Sequence, residues 1–341
     1  MPPTLSRRAV LSLTFATVAG LAVSACGSDS DSSPAAAGEN ASGAEPGAFP
    51  VTIDHVHGST TLTQAPTRVA AVGIGDADVL LSLGVIPVLV PVWKGSVDDG
   101  IGQWADASLG GADPIALANA TSSFDVETIA ASTPDLIVAV NNAINESTYQ
   151  QLSAIAPTVL HAADQTDWVL PWQEVTQRIG AAVGLPERAA EQVREVEEAV
   201  VRARTANPHF AGKSAVLVTV RGDGSLRAFS PSAARSQLLT QLGFVLPAAL
   251  STRFDNALYF DVSPENLDLL DGDVLLVDNY DAARERLTSL PAFTNLEVVR
   301  SGGLVGLDPV VSDAVSMPNP LTIPFVLDQF VDRINRTPVG A

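Results

Sequence analysis

Cysteine, lysine and positive charge are scarce in this chain of 341 residues. Its single cysteine, Cys26, has no partner for an internal disulfide, and a zinc site built on several cysteines is excluded. Lys94 and Lys213 are the only lysines, and 19 lysines and arginines stand against 38 acidic residues, for a formal net charge of −19. Because binding to nucleic-acid phosphates requires clustered cations, a nucleic-acid partner is not expected.

Long uncharged stretches are also rare, and the one near membrane-spanning length lies at the N-terminus. It runs from Ala9 to Ala25, 17 residues, directly after Arg7 and Arg8. A stretch this short behind paired arginines is typical of a signal peptide of the twin-arginine type, with the general secretory route as the alternative. We therefore predict that residues 1–25 are a signal peptide and that the remainder is exported.

Small residues lead up to the lone cysteine in the segment Val23-Ser24-Ala25-Cys26. This pattern resembles a bacterial lipobox, in which the cysteine is lipidated and becomes the first mature residue; an ordinary signal peptide with an incidental cysteine is the alternative. Residues 26–48 are mainly small and acidic, which predicts a disordered tether. The sequence thus predicts an extracytoplasmic protein, lipid-anchored through Cys26 to the outer face of the cell membrane.

Apolar runs alternate with helical patterns in the rest of the chain, which indicates an α/β fold with parallel sheets. Strands are predicted at residues 68–73, 86–92, 134–140, 158–161, 213–220, 273–277 and 303–306, and helices at 76–84, 231–243 and 321–334. Residues 187–206 are rich in strong helix formers and predict a helix about 30 Å long. The predicted domains are an N-terminal lobe (49–171), linking helices (172–207) and a C-terminal lobe (208–341).

Two segments recur in the same order in both halves of the body. In the first half Glu127 lies eight residues before Asp135, which opens a buried strand; in the second half Glu265 lies eight residues before Asp273, which does the same. The segment from Leu80 to Pro87 is likewise similar to 239–247. Two matches in one order indicate similar lobes in tandem.

Motifs for common enzyme chemistry are missing from the sequence. It contains no phosphate loop, no Gly-x-Ser-x-Gly elbow and no His-Glu-x-x-His, and the Gly73-Ile74-Gly75 segment lacks the third glycine of a dinucleotide fingerprint. His55 and His57 are expected on one face of a hairpin spanning Val51 to Leu62, with its turn at Gly58-Ser59. Cross-strand packing is the favoured interpretation of this pair, and metal binding together with His161 is the alternative.

Several short segments in this order are similar to the substrate-binding proteins of ABC importers for iron–siderophores and cobalamin, the helical-backbone class. The similarity covers roughly residues 50 to 335 and is carried by Pro66-Thr67-Arg68-Val69, by 78–85, by Glu127 with Pro134-Asp135-Leu136-Ile137, by Ile155-Ala156-Pro157-Thr158 and by Ser263-Pro264-Glu265-Asn266-Leu267. This resemblance implies two similar Rossmann-like lobes joined by a long single α-helix, the class III periplasmic-binding-protein fold. It also implies that Glu127 and Glu265 dock onto arginines of a permease, one glutamate per lobe.

Ligands of α/β lobes lie where the carboxyl ends of strands meet loops, and this rule selects most of the candidate binding residues, with Trp104 and Tyr259 added from loops and Arg235 from a helix. Ferric siderophores are large, partly apolar and often anionic, which suits aromatic walls with one or two arginines. Arg221, at a strand end, is the first candidate for ligand charge and Arg235 the second, while Trp172 is expected in the core or at the lobe seam. The ligand-binding residues predicted are Trp93, Lys94, Trp104, Asn141, Arg221, Arg235, Tyr259 and Tyr280.

The favoured hypothesis is a receptor that binds a ferric siderophore and delivers it to the permease subunits of an ABC importer. It requires no catalytic residue, no cofactor and no metal ligand of its own, since iron is carried within the siderophore. The membrane is contacted only through the lipid, and a monomer is expected. The alternatives are a cobalamin or haem receptor of the same fold, a divalent-metal receptor using His55, His57 and His161, and a secreted α/β enzyme.

Overall fold

The computed structural model describes residues 43–92, 99–118, 125–167 and 169–341, all of which belong to the unit Ala37–Ala341. The signal peptide predicted at 1–25, Cys26, Trp93 and Lys94 lie outside the described residues. Within the described ranges, no helix is both long enough and apolar enough to cross a bilayer.

Five short parallel strands form the sheet of the N-terminal lobe. The elements before residue 160 are β1 (Val51–His55), β2 (Gly58–Leu62), β3 (Val69–Ala71), α1 (Asp76–Ser82), β4 (Leu89–Pro91), α2 (Asp106–Leu109), β5 (Ile115–Leu117), α3 (Val126–Ala131), β6 (Leu136–Val138), α4 (Glu146–Ser153) and β7 (Thr158–Val159). The strand order is β5-β4-β3-β6-β7, and β1 and β2 form a separate hairpin. Strands β3, β4 and β6 are buried along their whole length, as expected for a parallel sheet that is covered on both faces.

Two helices connect the lobes, α5 (Trp172–Ala182) and α6 (Pro186–Ala206). Helix α6 confirms the long helix predicted from sequence, with proline in its first turn and a buried stripe of Ala189, Val193, Val196 and Val200. The backbone N–H groups of Glu187 and Arg188 donate to the Glu45 carboxylate at 2.8 and 2.9 Å. Glu45, near the end of the predicted tether, therefore caps the N-terminus of helix α6.

The C-terminal lobe has a mixed sheet with the strand order β10-β9-β8-β11-β12. Its elements are β8 (Ala215–Val220), β9 (Leu226–Phe229), α7 (Ala234–Gln241), β10 (Tyr259–Val262), β11 (Val274–Asp278), α8 (Tyr280–Thr288), α9 (Pro291–Thr294), α10 (Glu297–Arg300), β12 (Leu304–Gly306), α11 (Pro309–Ser316) and α12 (Thr322–Asn335). Strand β11 runs parallel to β8 and β12, whereas β9 is antiparallel to both β8 and β10. The expectation of an α/β fold with two lobes is confirmed, although the second sheet is not wholly parallel.

The repeated segments have the same local geometry in both lobes. The Asp135 carboxylate accepts hydrogen bonds from the backbone N–H groups of Thr67 and Arg68, just before β3, at 2.8 Å each. The Asp273 carboxylate accepts from the backbone N–H and the hydroxyl of Ser214, just before β8, also at 2.8 Å. In each lobe the aspartate that opens one central strand therefore fixes the start of its neighbour.

The hairpin turn lies two residues earlier than predicted. His55 pairs with Gly58 in the strand register, so Val56 and His57 form the turn, and the backbone N–H of His57 donates to Nδ1 of His55 at 3.2 Å. His57 therefore leaves the strand, and the prediction that both imidazoles lie on one strand face is wrong. Burial and the adjacent His57 lower the pKa of His55. The ring centroids of the two histidines lie 5.0 and 5.6 Å from that of Tyr149, which indicates packing.

Candidate functional site

A cavity of about 390 Å³ lies between the two lobes and is the candidate ligand site. Its wall combines the ends of β3 and β6 in the first lobe, the start of α5, and β9, α7 and the segment after α11 in the second lobe. The lining residues include Ile74, Gly75, Val79, Asn141, Leu170, Trp172, Val175, Phe229, Arg235, Gln237, Tyr259, Met317 and Asn319.

The N-terminal wall is organised by a buried carboxylate. Asp76, in the first turn of α1, accepts hydrogen bonds from the backbone N–H groups of Val140 at 2.7 Å and Asn141 at 3.3 Å. Burial raises the pKa of Asp76 to about 7, although both hydrogen bonds oppose the shift. A Cβ on Gly73 would lie 1.9 Å from an Asp76 oxygen, so glycine is needed there to admit the carboxylate. Asp76 thereby holds Asn141 at the cavity.

A second buried carboxylate lies at the seam between the lobes. Asp78 Oδ2 accepts from the indole Nε1 of Trp104 at 2.8 Å and from the amide Nδ2 of Asn319, in the C-terminal lobe, at 2.9 Å. Burial raises the pKa of Asp78 to about 6 against these two hydrogen bonds. The Trp104 ring also lies 5.9 Å from the Phe325 ring on α12. This part of the seam is thus held by polar and aromatic contacts together.

The C-terminal wall carries a buried ion pair. Arg235 on α7 donates through Nη1 to Asp278 Oδ2 at 3.0 Å, and the Thr219 hydroxyl donates to the same oxygen at 2.8 Å. The guanidinium carbon of Arg235 lies 4.4 Å from the Phe229 ring centroid. Burial lowers the pKa of Arg235, while the nearby carboxylates of Asp278 and Asp313 oppose that shift. The guanidinium is therefore held in place by a carboxylate and an aromatic face before any ligand arrives.

The outer part of this wall is aromatic. Tyr259 on β10 is paired with Phe229 on β9, and both line the cavity. Tyr259 is 46% exposed, and the Arg227 guanidinium carbon lies 3.6 Å from its ring centroid. Arg227 is in turn bound by both carboxylate oxygens of Asp261, at 2.7 and 2.8 Å. An exposed ring fixed in this way offers a flat surface to a bound molecule.

The structure brings three of the predicted ligand-binding residues, Asn141, Arg235 and Tyr259, together at this cavity. The others among the described residues lie elsewhere. Trp104 is in the lobe seam, and Tyr280 packs over Gly306, where an added Cβ would lie 2.6 Å from its ring. Arg221 is an exposed residue at the β8–β9 turn, and its carbonyl accepts a hydrogen bond from Arg286 Nη1 at 2.9 Å.

The two glutamates predicted to dock a permease occupy matching places in the lobes. Glu127 is exposed in the first turn of α3, which precedes β6, and Glu265 is exposed in the first turn of a 3₁₀ segment, Pro264–Leu270, which precedes β11. Strand β6 is the neighbour of β3, as β11 is of β8. A hydrogen bond from Ser263 lowers the pKa of Glu265.

Sequence reasoning missed several residues of the site. Asp76 and Asp78 look like ordinary first-turn acids of a helix, and only their burial distinguishes them. Phe229 belongs to an alternating apolar pattern, which is common to strands and does not mark it as a site residue. Trp172, expected in the core or the seam, is 5% exposed and also lines the cavity. A group of three or more histidine, cysteine, aspartate or glutamate side chains able to hold a metal is not found among the described residues.

Comparison with known sequences shows that the chain is similar to binding proteins. A family model described as periplasmic binding protein matches residues 69–311. The probable siderophore-binding lipoprotein YfiY of Bacillus subtilis (strain 168) is 27% identical over 274 residues, which cover 76% of this chain and 81% of that protein.

Comparison with solved structures gives the same result. The crystal structure of a periplasmic solute binding protein from Mycobacterium smegmatis str. MC2 155 is 31% identical, with a TM-score of 0.74 and coverage of 84% of this chain and 98% of that chain. Staphylococcus aureus SirA, complexed with staphyloferrin B, is 26% identical, with a TM-score of 0.69 and the same coverage of both chains.

Proposed function

Because the chain belongs to the periplasmic binding protein family, we propose that it captures a ferric siderophore outside the cytoplasm and delivers it to an ABC permease. Members of this family are substrate-binding receptors and not enzymes. The observation that carries the proposal is the cavity between the lobes, which is lined by Trp172, Phe229 and Tyr259 and contains one fixed arginine. Aromatic faces suit the apolar surface of a large chelate, and a site between lobes encloses it from two sides.

The iron arrives inside the chelate, and the receptor needs no cofactor. Among the described lining residues, the polar side chains are Arg235, amides and hydroxyls, which suit the outer oxygen atoms of an organic chelate rather than a bare transition metal. Relatives named for siderophores support this choice of cargo: one is described as a probable siderophore-binding lipoprotein, and another is described in complex with staphyloferrin B.

The receptor is held at the membrane by lipid on Cys26 and meets its permease through Glu127 and Glu265. The lipobox pattern and the lipoprotein description of the Bacillus relative support the anchor. The matching, exposed positions of the two glutamates support the docking role, since carboxylates bind arginine side chains in a fixed orientation. The receptor works as a monomer, since both walls of the cavity between the lobes come from a single chain.

Tryptophan fluorescence tests the proposed cargo directly. Titration with ferric hydroxamate, catecholate and carboxylate siderophores, cobalamin, haem and zinc should give quenching by at least one ferric chelate, with a dissociation constant below about 1 μM. The Trp172→Phe variant should lose more of the quenching than Trp104→Phe, because of these two residues Trp172 lines the cavity and Trp104 does not. Quenching by cobalamin, haem or zinc alone would contradict the proposal.

A further inference from the structure

The cavity contains little positive charge that a ligand can use. Arg235 is the only residue with a charged side chain among the described residues that line it. Its charge is already compensated by Asp278, which is 5% exposed and lies 3.0 Å from Arg235 Nη1. The second buried acid that faces this guanidinium is Asp313, on α11. An anionic ligand approaching Arg235 would therefore compete with carboxylates that are already in place.

Acidic groups also lie behind the opposite wall. Asp76 binds the backbone of Asn141, and Asp78 binds the side chain of Asn319, and both asparagines line the cavity. Asp76 and Asp78 directly follow or precede a lining residue in the chain, and the buried Asp278 and Asp313 face Arg235 on the other wall. Charges in a weakly screened interior act over several ångströms, so the described wall presents no positive charge that lacks a neighbouring carboxyl group.

Iron chelates differ in charge according to their chelating groups. A hydroxamate loses one proton on binding Fe³⁺ and a catechol loses two, so three hydroxamates neutralise the ion while three catecholates produce a trianion. On this basis, and resting on the proposed function, we propose that the cleft selects ferric hydroxamate chelates without net negative charge and discriminates against tris-catecholate chelates. The aromatic wall of Trp172, Phe229 and Tyr259 supplies apolar contact for such a chelate, and the asparagine amides supply neutral hydrogen bonds.

Binding of three probes to the exported protein tests this selectivity. The probes are ferrichrome, a neutral tris-hydroxamate, ferrioxamine B, a tris-hydroxamate with an ammonium group, and ferric enterobactin, a tris-catecholate trianion. At least one hydroxamate chelate should bind about tenfold or more tightly than the trianion. Equal or tighter binding of the trianion would overturn the inference and leave the proposed function intact. Binding of none of the three would overturn the inference, and failure of every ferric chelate would overturn the proposed function as well.

A charge variant separates charge from shape. Gln237 lies on α7 and lines the cavity, so Gln237→Lys adds a cation to the wall, and Gln237→Met is a control of similar size without charge. Gln237→Lys should raise the ratio of the affinity for ferric enterobactin to that for ferrichrome about tenfold, while Gln237→Met should leave this ratio unchanged even if both affinities fall. An unchanged ratio of the two affinities in a folded Gln237→Lys protein would show that charge does not control selection.

Discussion

Aspartates fix the start of a central strand in the same way in both lobes, but the acidic residues at the cleft have different binding partners in each lobe. In both, an aspartate at the start of one central strand, Asp135 or Asp273, fixes the start of the adjacent strand. At the cleft the lobes diverge: Asp78 in the first lobe is bound by the neutral side chains of Trp104 and Asn319, whereas Asp278 in the second lobe is bound by Arg235.

The shared contacts at the strand starts belong to the framework of the lobes, whereas the differing contacts of the cleft acids belong to the candidate ligand site. The strand-start contacts lie at the amino ends of the strands, away from the ligand, and any lobe of this type can use them. The acids at the cleft lie beside the candidate ligand cavity, and their hydrogen-bond partners differ between the lobes. A sheet that is wholly parallel in one lobe and partly antiparallel in the other adds to this asymmetry, because β9 and β10 supply two of the aromatic rings of the cavity.

The largest expected effect concerns the pH dependence of stability. Burial raises the pKa of Asp78 from its usual 3.8 to about 6, so the folded protein holds a proton that the unfolded chain releases at lower pH. The stability from this proton is complete below pH 3.8 and is lost as the pH rises through about 6. Between pH 4 and pH 8 the free energy of unfolding of the wild type should therefore fall by about 2 kcal/mol relative to that of Asp78→Asn.

Urea denaturation at a series of pH values measures this difference. Asp135→Asn is the matched control, because its exposed carboxylate lies at the other end of the sheet. Parallel pH profiles for the wild type and Asp78→Asn would show that Asp78 titrates as an ordinary exposed acid, and the contrast between the cleft acids of the two lobes would then be wrong.

A smaller effect tests the shared framework. Asp135→Ala and Asp273→Ala each remove charge-assisted hydrogen bonds at a strand start, and each should lower the free energy of unfolding by about 1 kcal/mol, since both carboxylates are partly exposed to solvent. Chemical denaturation provides the measurement, with the exposed Asp268→Ala as the control. Losses of unfolding free energy that differ severalfold between the two variants would show that the two strand-start contacts are not equivalent.

The smallest structural effect is expected for the docking glutamates. The double variant Glu127→Ala, Glu265→Ala should keep the denaturation midpoint and the chelate affinity, because both side chains are exposed and neither belongs to the cavity lining. Uptake of iron by cells that depend on this receptor should nevertheless be impaired. Glu146→Ala, another exposed first-turn glutamate, is the control. Normal uptake with the double variant would contradict the docking role.

Much of the framework could be predicted because it is local in sequence. The strands are short apolar runs, the long helix begins at Pro186 and is built from strong helix formers, and the repeated spacing of glutamate and aspartate indicates two lobes. The turn of the hairpin was placed wrongly because Gly58-Ser59 is a good turn sequence, whereas the register that pairs His55 with Gly58 determines the actual turn.

The site was harder to predict because its residues come from distant parts of the chain. The rule that ligands lie at strand ends selects Arg221, and Arg235 is only the second candidate because it is expected on the helix that follows. The structure places Arg235 at the cavity because α7 packs against β8, where Arg235 binds Asp278, which also accepts a hydrogen bond from Thr219. Arg221 extends from a turn whose exposure the sequence does not reveal.

The sequence by itself determined the acidic charge, the signal-peptide-like and lipobox-like patterns, the alternation of strands and helices, and the tandem repeat, since each depends on residues that are neighbours in the chain. Only the tertiary structure decided which acids are buried, which arginine is neutralised and which aromatic rings meet between the lobes. The physical reason is that burial and charge compensation depend on contacts between residues such as Asp78 and Asn319, which are 241 positions apart in the chain.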